Sequence, residues 1–140
     1  MLVKDAMYQD VATIDVNSGL TEAAKLMFER KCGCLLVLES SKLKGIVTER
    51  DFVWKVIAKV LDSSKLKTRE IMSSPVITID PDTELAKAVE LMVKHGIRRL
   101  PAAKDGIIYG IIGPWQIVSN FFNYMDEVTR DLLRHMYTIF

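Results

Sequence analysis

Apolar residues recur along this chain at two different periods, and the periods alternate in a fixed order. Val11-Ala12-Thr13-Ile14 and Val76-Ile77-Thr78-Ile79 are short β-branched runs, which predicts strands. Asn17-Ser18 and Asp82-Thr83 follow with side chains suited to capping a helix. Leu20, Ala23, Ala24, Met27 and Phe28 then fall at helical spacing, as do Leu85, Ala88, Val89, Met92 and Val93. Gly96 is placed to end the second of these helices, where the first has Lys31. Two strands come next in each half, Cys34 to Glu39 with Leu43 to Thr48, and Arg99 to Ala103 with Ile107 to Ile112. Ser40-Ser41 and Lys104-Asp105-Gly106 supply the turns. A closing helix carries Phe52, Val53, Val56, Ile57 and Val60 in one half, and Ile117, Val118, Phe121 and Phe122 in the other.

The two halves are one unit used twice. Shifting the sequence by 65 residues, without gaps, brings Met7 onto Met72, Val11 onto Val76 and Thr13-Ile14-Asp15 onto Thr78-Ile79-Asp80. Leu26-Met27 then meets Leu91-Met92, and Gly45-Ile46 meets Gly110-Ile111. Two such units bury their apolar faces on each other. The predicted class is α+β, with β-α-β-β-α over residues 5–62 and again over 75–124, joined by a Ser- and Lys-rich connector at 63–74. Residues 125–140 have no counterpart; Val128, Leu132, Leu133, Met136 and Tyr137 share one face of a further helix.

Composition narrows the function classes. The chain has 140 residues, 49% hydrophobic and 26% charged, as expected of an ordinary globular protein. A net charge of +1 gives no basic field for nucleic acid. The start, Met1-Leu2-Val3-Lys4-Asp5, shows no basic lead into an apolar stretch. No apolar run approaches the roughly 20 residues needed to cross a bilayer, so a cytoplasmic protein is expected. Cys32-Gly33-Cys34 lacks the further ligands of a zinc site and reads as two small buried residues. There is no nucleophile elbow, metalloprotease helix, P-loop or dinucleotide fingerprint, so no enzyme activity and no cofactor are expected.

The candidate chemistry sits in Gly45-Ile46-Val47-Thr48-Glu49-Arg50-Asp51, a buried strand running into a helix with a hydroxyl and a carboxylate at the junction. A purely structural explanation exists, because Thr followed three residues later by an acid approximates a capping box. The matching Gly113-Pro114-Trp115-Gln116 also suits a helix start. From spacing alone, capping and ligand binding account for the junction equally well.

With Ile97-Arg98-Arg99-Leu100-Pro101 in the second half, the sequence resembles a tandem pair of CBS domains, whose units pair an I-R-R-L-P-V strand with G-I-V-T-x-x-D opening a helix. The likeness runs from Asp5 to about Asn123. It implies a pseudo-two-fold pair with two clefts between the units, a regulatory role, and AMP, ADP, ATP or S-adenosylmethionine as ligand. It places Thr48 and Asp51 opposite Met72, Ile77, Ile97, Arg98 and Arg99. A carboxylate can accept both ribose hydroxyls, arginines and a helix start attract phosphate, and Ile46, Met72 and Ile77 offer apolar walls to a purine. Arg50 is a further basic candidate in the motif. Arg98 and Arg99 are consecutive, so on a regular strand they point to opposite faces. The mirror cleft would join Gly113 and Gln116 to Met7, Ala12, Cys32, Gly33 and Cys34, without hydroxyl, carboxylate or arginines. One working nucleotide site per chain is therefore expected. Two pairs are expected to form a homodimer that signals to an effector protein. A ligand-free dimerisation module is the competing reading, since Trp115, Phe121, Phe122, Tyr124 and the C-terminal helix offer apolar surface.

Overall fold

The structure is a computed structural model that describes residues 1–121, 131–132 and 134–135. After a short helix α1 (Val3–Ala6), the first unit runs β1 (Thr13–Asp15), α2 (Leu20–Arg30), β2 (Cys34–Glu39), β3 (Lys42–Thr48) and α3 (Glu49–Asp51). The last of these continues as a wider π-helical segment, Phe52–Ile57. The second unit runs α4 (Leu85–His95), β4 (Leu100–Lys104), β5 (Ile107–Ile112) and α5 (Pro114–Phe121). In the first sheet β1 lies parallel to β2, and β2 antiparallel to β3. In the second, β4 and β5 are antiparallel. Both hairpins carry a register shift at the same place, Val37/Leu38 and Ala102/Ala103.

The strand expected over Val76-Ile77-Thr78-Ile79 is reduced to one parallel bridge from Ile79 to Ala102. Proline explains the loss. In the first unit the ladder is extended by Leu36 N–H to Ala12 O (3.0 Å) and Val16 N–H to Leu38 O (2.9 Å). Their counterparts are Pro101 and Pro81, which have no N–H to donate. The first strand itself lies two residues later at its start than expected, Thr13–Asp15 rather than Val11 to Ile14.

Neither major helix is capped by the expected side chains. The residues preceding them are Gly19 and Glu84, and neither makes a side-chain cap bond. The conserved device within the repeat is instead an Asp turn: Asp15 Oδ1 accepts from Asn17 N–H at 2.8 Å, and Asp80 Oδ1 from Asp82 N–H at 2.8 Å. At the other end both helices stop alike, with Gly96 (φ 62°) and Lys31 (φ 50°) in the left-handed conformation.

Each unit has its own core, and each core borrows a segment from across the pair. Leu20, Ala23, Met27, Leu35, Val37 and Val47 form the first, joined by Ile71 from the connector. Ile79, Ala88, Met92, Leu100, Ala102 and Ile112 form the second, joined by Val3 from the N-terminal helix. Val3 and Thr68 are counterparts in the repeat, and both are fully buried. Thr68 Oγ1 donates to Ser18 O at 3.0 Å, satisfying its hydroxyl in that setting. Two isolated bridges complete the exchange: Ile46 with Ser73, and Ile111 with Tyr8. They require close approach, because a Cβ at Gly45 would lie 2.5 Å from Met72 Sδ and one at Gly110 2.6 Å from Tyr8 O.

The helix read over residues 125–140 falls largely outside the described residues; 131–132 and 134–135 are helical. Among the described residues no helix is long and apolar enough to cross a membrane.

The two hairpin turns differ in a way that has an energetic consequence. Asp105 (φ 51°) and Gly106 (φ 78°) fit the Asp-Gly preference of a turn with two left-handed residues, whereas Ser40 (φ 50°) and Ser41 (φ 66°) do not. A left-handed non-glycine residue costs roughly 1–2 kcal/mol. Ser41→Gly is expected to stabilise the protein by about 1 kcal/mol in urea unfolding, while Gly106→Ser destabilises it by a similar amount.

Candidate functional site

The exchange of segments leaves a cleft of about 260 Å³ where the end of β3 faces the turn between α4 and β4. One wall comes from the first unit: Ile46 on β3, then Thr48, Glu49, Arg50 and Asp51. The other comes from Gly96 through Arg99 in the second. Ser73 and Gly33 complete the lining. Seven of the nine residues expected from sequence are thus brought together: Ile46, Thr48, Arg50, Asp51, Ile97, Arg98 and Arg99. Met72 and Ile77 do not line it. Met72 is turned against Gly45 and the first core, with Ser73 at the wall instead, and Ile77 packs on the second core.

Asp51 is nearly buried at 8% exposure and is already engaged. Its Oδ2 accepts from Thr48 N–H at 2.8 Å and faces the Thr48 hydroxyl at 3.4 Å. Its Oδ1 pairs with Lys55 Nζ at 2.8 Å, one helical turn on. The same ammonium donates to Ile71 O at 2.8 Å, tying the borrowed segment to the helix. The mirror junction repeats the capping arrangement with an amide: Gly113 N–H donates to Gln116 Oε1 at 3.0 Å. Capping is therefore common to both junctions, and only the first adds a hydroxyl and a charge.

The arginines are not on a regular strand, because β4 starts at Leu100 rather than at Arg99. Alternation then does not separate them, and both reach the cleft. Arg99 Nη1 donates to Arg98 O at 3.3 Å. Arg50 lies over the Trp54 ring, 4.7 Å from its centroid.

A family model for the CBS domain matches residues 3–57 and again 69–123, most of the chain in two tandem copies. The chain belongs to the CBS-domain family. As a tandem CBS pair it is a regulatory module with an α+β fold. It is 35% identical over 118 residues to the CBS domain-containing protein YhcV of Bacillus subtilis, covering 84% of each chain. Among solved structures it is similar to a protein with CBS domains from Burkholderia ambifaria, at 30% identity and TM-score 0.79, covering 84% of this chain and 87% of that one. A hexameric CBS-CP12 protein from bloom-forming cyanobacteria is 32% identical with TM-score 0.78, covering 84% of this chain and 69% of that one.

The CBS pair places further residues at the cleft that sequence reasoning passed over. Gly33 was expected at the mirror cleft but lines this one, where its carbonyl accepts from Glu49 N–H at 3.2 Å. Glu49 and Arg99 converge on it: a Cβ at Gly33 would meet Glu49 Oε1 at 2.6 Å and an Arg99 guanidinium nitrogen at 3.0 Å. Burial pushes the Cys34 thiol above its ordinary range; Arg99, close enough to hydrogen-bond it, opposes this, while Cys32 and Glu49 add to it. Both cysteines are free, and among the described residues no cluster of His, Cys, Asp or Glu is placed to hold a metal. Lys55 was also missed, although its spacing from Asp51 is that of a helical ion pair.

The mirror cleft, about 250 Å³, is not bare of positive charge as the sequence suggested. The end of α2 brings Arg30 and Lys31 to it, beside Tyr8, Trp115 and Gln116. Arg30 is neutralised by Asp10 at 2.9 Å.

Gln116 shows that an amide suffices to cap this helix. Asp51→Asn is accordingly expected to keep the Thr48 N–H bond and lose only the Lys55 pairing, whereas Asp51→Ala loses both. Urea unfolding should place Asp51→Ala about 1–2 kcal/mol below the wild type, with Asp51→Asn between them.

Proposed function

We propose that this CBS pair senses an adenosine nucleotide (AMP, ADP or ATP) bound in the cleft between its units, with no bond made or broken. The observation that carries this reading is the meeting in one cleft of Thr48 and Asp51 from one unit with Arg98 and Arg99 from the other. Asp51 retains room for a ribose. A carboxylate offers about four acceptor sites, and Lys55 and the Thr48 amide hold two of them firmly. One site remains on Oδ1, and a second opens on Oδ2 when the Thr48 hydroxyl turns toward the ligand. Arg98 and Arg99 face the phosphate, and Ile46 and Ile97 flank the base.

Binding across the cleft changes how the two units sit, and a partner protein reads that change. S-adenosylmethionine is the alternative adenosine ligand, since its ribose and base make the same demands. Calorimetric titration with AMP, ATP, S-adenosylmethionine and GTP separates these. One adenine ligand per chain is expected, GTP failing, with Asp51→Asn weakening binding by about 1.5–3 kcal/mol. Arg99→Ala should weaken AMP and ATP but not adenosine. No saturation by any of the four leaves capping as the sole role of the junction.

Self-association rests on a separate observation. The helical stripes are wider than the cores need: at repeat-equivalent positions, Phe28 is 84% exposed and Val93 77%. Such apolar side chains paired on two symmetry-related helices suit a second copy of the module, giving a homodimer. Size-exclusion chromatography with light scattering should find a dimer, and Phe28→Glu with Val93→Glu a monomer that still unfolds cooperatively. A monomeric wild type would contradict the dimer.

A further inference from the structure

The charged groups of the cleft do not form a uniformly positive phosphate site. Asp51 is compensated by Lys55, and Arg50, on the same wall, lies over the Trp54 ring. Arg98 and Arg99 stand on the other wall, and Glu49 is the one acid of the cleft without an ion-pair partner among the described residues. Glu49 is the residue after Thr48; its backbone N–H donates to Gly33 O at 3.2 Å, which fixes the start of the helix against β2. From that fixed point its carboxylate is carried over Gly33 to the same spot that the Arg99 guanidinium reaches. The absence of a side chain at Gly33 is what lets both heads approach that point from either side. Capping does not use the Glu49 carboxylate, and no core contact requires it.

We infer that Glu49 is a specificity-determining residue that limits the cleft to a ligand with a single phosphate group. The inference rests on the nucleotide reading above and names the ligand within it. Two guanidinium groups match the two negative charges of one phosphate ester. A di- or triphosphate adds charge that must either approach the Glu49 carboxylate or leave the arginines for solvent. Glu49, Arg98 and Arg99 are exposed at the cleft, where like charges a few ångströms apart still repel more strongly than in bulk water. An adenosine monophosphate is therefore held, and the polyphosphates of the same nucleoside are turned away.

The test is competitive titration of the full chain with adenosine, AMP and ATP, in the wild type, Glu49→Gln and Glu49→Lys. The wild type is expected to bind AMP at least about tenfold more tightly than ATP. Glu49→Gln should bring the two within a few-fold, chiefly by strengthening ATP, with an unchanged urea-unfolding midpoint as the check on folding. Glu49→Lys should favour ATP. Equal AMP and ATP affinities in the wild type, or an AMP-to-ATP ratio that Glu49→Gln leaves unmoved, would overturn the role of Glu49 while leaving the nucleotide site standing. Failure of the wild type to bind adenosine, AMP or ATP would overturn the nucleotide reading and this inference together.

Discussion

The pair is held in register by the burial of each unit's leading segment in the other unit. Val3 enters the second core and Ile71 the first, and Thr68 is buried with its hydroxyl bonded to Ser18 O. The bridges between Ile46 and Ser73, and between Tyr8 and Ile111, fix the two exchanged segments along the edges of β3 and β5. These are paired backbone bonds of 2.8–3.1 Å, which fix the register of the exchanged segments against β3 and β5. Everything at the cleft follows from this. The end of β3 can face the turn before β4 only because the segment between them, Met72 and Ser73, is laid against Gly45 and Ile46.

The same junction carries two kinds of chemistry that are easily confused. Closing a helix start requires one acceptor for an exposed N–H, and Asp51 and Gln116 each provide it. That requirement is structural and is met twice. Binding a polar ligand requires acceptors beyond those the helix consumes, together with positive charge from another part of the chain. Only at the first junction do the spare acceptors of Asp51 face two arginines that no acidic side chain holds in an ion pair among the described residues. The asymmetry of the two junctions is thus an asymmetry of charge, laid over hairpins that share their register in both halves.

Much of this was legible in the sequence, and the parts that were not share a cause. The ungapped repeat showed the two-unit plan, and the apolar periods showed α2, α4 and both hairpins nearly to the residue. The resemblance to a CBS pair also led to Ile46, Thr48, Arg50, Asp51, Ile97, Arg98 and Arg99, which do meet in one cleft. What local composition did not show was anything set by register between distant segments. Val76-Ile77-Thr78-Ile79 has strand composition, but Pro81 and Pro101 remove the partners its ladder needs. Met72 is apolar and close to the cleft in sequence, yet Gly45 gives it somewhere better to go. Arg30 and Lys31 reach the mirror cleft because Lys31 turns the chain in a left-handed conformation, which composition does not announce. Glu49 was hidden for a different reason, since an acid beside Thr48 and Asp51 reads as one more helix-start residue until Gly33 and Arg99 are seen beside it.

The central claim is that one of the two clefts is built to hold a nucleotide, and backbone amide shifts report on both at once. Titrating isotope-labelled protein with AMP while recording nitrogen–proton correlation spectra should move Gly33, Thr48, Gly96 and Ile97 saturably, with Tyr8, Ala12 and Lys31 stationary. Shifts concentrated at Tyr8, Ala12 and Lys31, or none at either cleft up to saturating AMP, would contradict it.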